Sequence, residues 1–364
     1  MLIAEIINEL ELLAPPILQE SYDNTGLLTG QSKWECKGAI ICLDSTEEVI
    51  EEAIQKGCNL VIAHHPIVFS GLKKITGKNY VERTIIKAIK NDIAIYAIHT
   101  NLDHAMEGVN KKMAEKLDLK NIKVLAPKSG LLMKLCTFAP EAHAENVRHA
   151  LFSAGAGHIG NYDACSFNVS GIGTFRGNES SNPFIGKKGE IHREAEQKIE
   201  VIYPKWKEQQ VLRALFNAHP YEEVAYDLHS LNNIHQFVGA GMIGELEAEM
   251  SWTNFFNLLK KQFNLNIIRH TKPIKEAIKT VALCGGSGSF LLHDAIKQQA
   301  DVFITADYKY HQFFDADAKI MIADIGHFES EQFTSELLFD YLQQKFPTFA
   351  LVLSETNTNP VKYF

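Results

Sequence analysis

Two adjacent histidines, His64-His65, close the apolar run Asn59-Leu60-Val61-Ile62-Ala63 and are followed by Pro66. Strand ends in α/β proteins collect ligand sites, because the loops there are free of packing duty. Successive strand residues point to opposite faces, so both rings are expected to reach one site only if the chain turns there. Pro66 fixes its own φ and biases His65 toward extended backbone. The pair reads as a metal-binding corner that needs imidazole or acidic partners from elsewhere.

Two other apolar runs end in such groups. Ile93–Ile98 leads into His99-Thr100-Asn101-Leu102-Asp103, and Lys319–Asp324 leads into Gly326-His327-Phe328-Glu329-Ser330-Glu331. His327 and Glu331 are four apart at the opening of a helix expected to reach about Gln344, so they share one face. His64, His65, Asp103, His327 and Glu331 then form a mixed nitrogen and oxygen ligand set. Five ligands exceed the three plus an open position that one catalytic zinc takes. Two adjacent divalent ions sharing carboxylates fit better, with Asp103 as the expected bridge. Such a site lowers the pKa of a bound water and polarises a carbonyl or phosphoryl oxygen. Asp103 alone would also suit the N-cap of a helix beginning near Met106. His99 and His311 are the candidate catalytic groups, as hydrogen-bond donors behind the ligands or as a general acid.

The elements that must position these residues follow a strand–helix rhythm. Ile3–Leu13 has helical apolar spacing and stops at Pro15-Pro16. Gly38–Asp44, Asn59–Ala63 and Ile93–Ile98 read as strands. The helices between them start at Ser45-Thr46-Glu47-Glu48 and at Tyr80. Thr280–Cys284, Val302–Thr305 and Lys319–Asp324 repeat the pattern. Helices flanking mainly parallel sheets are expected, in two α/β halves. Gly285-Gly286-Ser287-Gly288 offers either a tight strand-to-helix turn or backbone N–H groups for a phosphate. The stretch between differs: strands at Leu131–Ala139, Ala164–Phe175, Lys198–Tyr203 and Val224–Leu231, with helices at Ala144–Ala154 and Lys207–Ala218. This β-α-β-β-α-β order is that of a ferredoxin-like α+β module. The domains are therefore read as a metal-binding core of residues 1–126 and 238–364, with residues 127–237 inserted. Within the insert, His219-Pro220-Tyr221-Glu222-Glu223 reads as a helix-to-strand turn.

Composition narrows the function classes. The chain has 364 residues, 46% hydrophobic and 22% charged, with a formal net charge of −8. That balance disfavours general nucleic-acid binding. No apolar run suits a membrane span or a signal peptide. Six scattered cysteines without a C-x-x-C pair suit reduced thiols and a cytoplasmic setting.

Ser21-Tyr22-Asp23-Asn24-Thr25-Gly26-Leu27-Leu28, Ala63-His64-His65-Pro66, His99–Asp103, Cys284–Gly288 and Gly326-His327-x-x-x-Glu331 together resemble the Nif-three-like family. Its bacterial members are labelled GTP cyclohydrolase 1 type 2 homologues, and the middle segment resembles their CutA/PII-like insert. The resemblance implies a dinuclear site on His64, His65, Asp103, His327 and Glu331. It also implies homohexameric toroids of two trimers, and hydrogen bonding near the site from Asp23–Gly26. Some members place the last carboxylate three residues after the histidine; here that position is Ser330, so Glu331 is chosen over Glu329. The function expected is metal-dependent hydrolysis of a nucleotide or phosphoester. Zinc stands first as the metal, and iron or manganese also suit the donor set. Metal storage or delivery, ligand sensing and a ring-shaped interaction scaffold are the alternatives.

Overall fold

Short runs of Ile, Val, Leu and Ala that are apolar on both sides become inner strands, because both faces of such strands must be covered. A computed structural model describes residues 1–364, which divide into two units, Met1–Pro127 with Phe237–Phe364 and Lys128–Gln236. The first unit holds two sheets. In the first sheet the strand order is Gly26–Thr29, Ala94–Ala97, Leu60–His65, Ala39–Asp44 and Leu351–Leu353. Only the Gly26–Thr29 pairing is antiparallel. Helices Ile3–Leu13 and Thr334–Lys345 cover one face through Ile6, Leu10, Leu338 and Leu342. Helices Glu47–Gln55 and Tyr80–Lys90 cover the other through Val49, Ile50, Ile85 and Ala88. Burying each of these Val, Leu and Ile side chains contributes about 1.5–3 kcal/mol. Both of the latter helices begin on side-chain caps: Thr46 accepts from the Val49 N–H and Asn79 from the Glu82 N–H.

The second sheet runs Arg269–His270, Met321–Asp324, Val302–Ala306, Ala277–Ser287, Ile234–Ser251 and Lys120–Ser129. It is mixed, which corrects the expectation of mainly parallel sheets. Val302–Ala306 pairs parallel with both neighbours, whereas Arg269–His270 and Ile234–Ser251 pair antiparallel. Lys120–Ser129 carries the chain out of this unit and Ile234–Ser251 brings it back. A strand that returns beside its neighbour needs no crossover helix.

In the second unit, strands Phe167–Phe175, His192–Pro204, Leu132–Pro140 and Tyr226–Leu231 form an antiparallel sheet in that order. Helices Ala144–Ser153 and Glu208–Ala218 pack on one face through Val147, Leu151, Val211 and Leu215. The connectivity is β-α-β-β-α-β.

Three local readings are corrected. Leu60–His65 continues through both histidines, so the pair lies in the strand rather than after it. Gly285, Gly286 and Ser287 likewise belong to the strand Ala277–Ser287. The N–H groups of Gly285, Gly286 and Gly288 already donate to Asn110 Oδ1, Ser330 Oγ and Thr305 Oγ1, so no phosphate cradle forms. The helix expected from His327 to Gln344 is two helices, His327–Glu331 and Thr334–Lys345. No helix is long and apolar enough to cross a membrane.

The segment after Leu351–Leu353 is clamped by one carboxylate. Glu52 accepts from Ser354 Oγ at 2.6 Å, from the Glu355 N–H at 2.9 Å and from Thr356 Oγ1 at 2.8 Å. Burial opposes its ionisation, but these donors and Lys56 outweigh it and hold the pKa down to about 2, from 4.5. A depressed pKa contributes stability that is full above about pH 4.5 and lost as pH falls toward 2. Glu52→Gln is expected to speed hydrogen exchange at the Glu355 N–H at neutral pH, with little change in the central strands. Unchanged exchange at that amide would contradict the clamp.

Candidate metal centre

Three histidines and two carboxylates, carried at or just after strand ends of both sheets of the first unit, meet at one place. His64 is fully buried, and its Nδ1 lies 2.8 Å from the Ile98 carbonyl oxygen. A carbonyl only accepts, so Nδ1 carries the hydrogen and Nε2 presents a lone pair. Nε2 has no hydrogen-bond partner; Asp103 Oδ1 stands 3.6 Å away and Glu331 Oε1 3.9 Å away. Burial drives the His64 pKa down to about 3, so the ring is neutral. Asp103 Oδ1 is a second buried atom without a partner. Burial, then the charge of Glu331, raise the Asp103 pKa well above the ordinary range.

His65 and His327 are oriented from behind in the same way. His65 Nδ1 donates to Asp44 Oδ1 at 2.8 Å, and His327 Nδ1 donates to Asp307 Oδ2 at 2.7 Å. Their Nε2 atoms converge on Glu331 Oε2 at 2.9 and 3.1 Å, and lie 3.4 Å from each other. Each ring thus donates to two carboxylates, which requires the imidazolium. Burial works against the charge, but Asp44 and Glu331 push His65 up to about 10. Glu331 and Asp307 likewise push His327 up to about 11. Burial also opposes ionisation of Glu331, yet the charge and hydrogen bonds of His327 and His65 hold its pKa well below the usual range.

The local fold explains these positions. Asp103 sits in the short helix Thr100–His104 and caps nothing; the following helix, Val109–Lys116, starts at Gly108. Asn110 donates to the Asp103 carbonyl at 2.9 Å and so fixes that turn. Gly286 has φ +61°, and a Cβ there would lie 2.4 Å from Glu331 Oε1. Glycine is required both by that backbone and by the carboxylate beside it. Glu329 lines the same cavity but shares no donor cluster with these histidines, and it accepts from Asn359 Nδ2 at 3.1 Å.

His99 joins the cluster and His311 does not. The His99 ring centroid is 5.3 Å from those of His64 and His65, and its Nδ1 pairs with Asp23 Oδ1 at 2.8 Å. Asp23 also accepts from the Thr100 N–H and Oγ1, so this turn residue does support the site. His311 lies exposed on the 3-10 segment Tyr310–Ala316, with its ring against Tyr310 and Phe314. Sequence reasoning missed Asp44, Asp307 and Thr358. Thr358 Oγ1 donates to Asp44 Oδ2 at 2.6 Å, extending the support behind His65. The signal for the two acids was present, since each ends or follows an apolar strand as Asp103 does.

The residues fit a divalent cation. Two buried lone-pair atoms stand without partners, and His64/Asp103/Glu331, His65/His327/Glu331 and His64/His65/His99 each place three donor atoms within 4.8 Å of one another. His65, His99, Asp103, His327 and Glu331 line an open cavity of about 780 Å³, with aromatic residues such as Tyr22 and Phe69 also on its wall.

Relatives share this chain over almost its whole length. A Halalkalibacterium halodurans protein named GTP cyclohydrolase 1 type 2 homolog is 40% identical over 363 residues, covering 98% of each chain. A Bacillus subtilis protein of the same name is 38% identical over 365 residues, covering 99% of this chain and 98% of its own. A crystal structure of a Bacillus cereus protein related to NIF3 superposes with a TM-score of 0.88 at 39% identity, covering 99% and 98%. A Staphylococcus aureus crystal structure does so at 0.78 and 30%, covering 100% and 99%. The family model described as Duf34/NIF3 (NGG1p interacting factor 3) matches residues 1–360, and the chain belongs to that family.

Proposed function

We propose that the protein is a dinuclear metal-dependent hydrolase acting on a nucleotide or phosphoester. The single observation that carries this reading is the pair of orphaned atoms, His64 Nε2 and Asp103 Oδ1, beside a cavity large enough for such a substrate. In this reading His64, Asp103 and Glu331 hold one ion, and His65, His327 and Glu331 hold the other. Glu331 belongs to both triplets and Asp103 to one, which favours Glu331 as the bridge in place of Asp103. Zinc heads the candidates, with iron or manganese also compatible. When bound, the ions would supply Lewis-acid activation of water and of the substrate oxygen.

The chain's own residues do the positioning. Ile98, Asp44 and Asp307 hold the three imidazoles so that every Nε2 faces inward. His99, held at Nδ1 by Asp23, is placed to pass a proton at its other nitrogen. Tyr22 and Phe69, with ring centroids 6.2 Å apart, offer stacking faces for a planar base. The names of the curated relatives point to a guanine nucleotide as the first substrate to try. The second unit's strand order supports the reading of a ferredoxin-like, CutA/PII-like insert. A homohexamer of two trimers is the assembly proposed with it.

Elemental analysis is expected to find two ions per chain. Glu331→Gln should lose both, while Asp103→Ala keeps one. Full loading of the Glu331→Gln protein would contradict the bridge.

Metal uptake should release protons. With His65 and His327 at about 10 and 11, both rings are charged at pH 7 and must lose a proton before Nε2 can bind a metal. Apparent affinity should therefore rise by about two decades per pH unit near neutrality. Calorimetry in buffers of different ionisation enthalpy would read at least two protons released; none released would contradict the assignment.

Defined-metal protein should turn over GTP or a member of a phosphoester panel, and His64→Ala should abolish it. Activity persisting in His64→Ala would point to a contaminant, and inactivity across the panel would remove the hydrolase reading.

A further inference from the structure

The second unit carries a cavity of about 700 Å³ on the helix-free face of its sheet. Strand alternation sends Ile199, Val201 and Tyr203 toward the helices and leaves Glu196 and Lys198 on the opposite face. The loop after Phe175 closes over this face, held where Glu222 accepts the Asn182 N–H at 2.9 and 3.0 Å. Phe175 and Phe184 lie around Tyr221, with ring centroids 5.7 and 6.4 Å from it.

Glu196 is the telling group. It is only 9% exposed, and its hydrogen bond is from the Tyr221 hydroxyl, at 2.8 Å to Oε1. The cations nearby serve other acids: Lys198 and Lys134 both pair with Glu200, and His192 pairs with Glu194. Arg176 lines the same cavity but is exposed. A Cβ on Gly173 would fall 2.1 Å from Glu196 Oε2, so glycine leaves room for the carboxylate. A buried carboxylate without a cation is costly, and one beside several aromatic rings is matched to an ammonium group. Glu222 and Glu223 on the cavity wall add negative charge.

We propose that this cavity binds a small organic ammonium ion with an apolar body. The residues involved all belong to the second unit and share none with the candidate metal centre. The occupant's charge sits at Glu196 and its apolar part against Phe175, Phe184 and Tyr221.

Calorimetric titration of the full chain with 2-phenylethylammonium, and with the uncharged 2-phenylethanol as control, tests this. The ammonium should bind once per chain, and the alcohol at least about tenfold more weakly. Glu196→Gln should cost the ammonium a similar factor, and Asp103→Ala should not change its binding. Gly171→Leu gives a second route that leaves Glu196 in place. A Cβ there meets open space, so the new side chain fills the cavity and should block uptake. No binding at millimolar ammonium, equal binding of the alcohol, or unaltered binding in the folded Gly171→Leu protein would overturn the proposal.

Discussion

A carboxylate with almost no exposed surface has to find positive charge, and Glu331 finds it on His65 and His327. His65 ends a strand of the first sheet, whereas Glu331 and His327 share the short helix that follows a strand of the second, so the His65–Glu331 pair also ties the two sheets together. For His65–Glu331, the more buried of the two pairs, removing one partner costs on the order of 3–5 kcal/mol, because the other is left uncompensated. Much of the surrounding architecture serves this group. Gly286 keeps side-chain atoms away from it, and Ser330 holds the Gly286 N–H. Asp44 and Asp307 fix the two rings from behind.

The sheets deliver the candidate ligands by a simple rule. His64-His65 ends the strand Leu60–His65, and Asp103 follows Ala94–Ala97 by one short helical turn. His327 and Glu331 follow Met321–Asp324. The two segments of the first unit also exchange elements: Leu351–Leu353 joins the first sheet and Lys120–Ser129 the second. Thr358, beyond Leu353, then reaches Asp44.

The clustering of the candidate site was more legible than the architecture. His64-His65 and the His327/Glu331 spacing stand out because histidine is uncommon at the end of an apolar run. Their supporting acids are ordinary residues at ordinary strand ends, and only the fold reveals which imidazole each one meets. The adjacent histidines share a site without leaving the strand: their ring centroids are 4.9 Å apart at a tilt of 45°. One ring is sealed behind the cavity and the other faces it. Within Gly285–Gly288 the strand-to-helix turn falls at Gly288 alone, and Gly286 instead lets the strand pass close to Glu331. The long strand Ile234–Ser251 escaped notice because its glycines interrupt the apolar alternation that identifies a strand.

In the function proposed, His64 Nε2 and Asp103 Oδ1 lack protein partners because a metal ion belongs between them. Anomalous diffraction from crystals soaked in zinc, recorded on both sides of its absorption edge, tests it most directly. Two peaks flanking Glu331 are expected, one of them within bonding distance of both orphaned atoms. Peaks confined to the surface, or water in contact with both atoms in a zinc-soaked crystal, would contradict it.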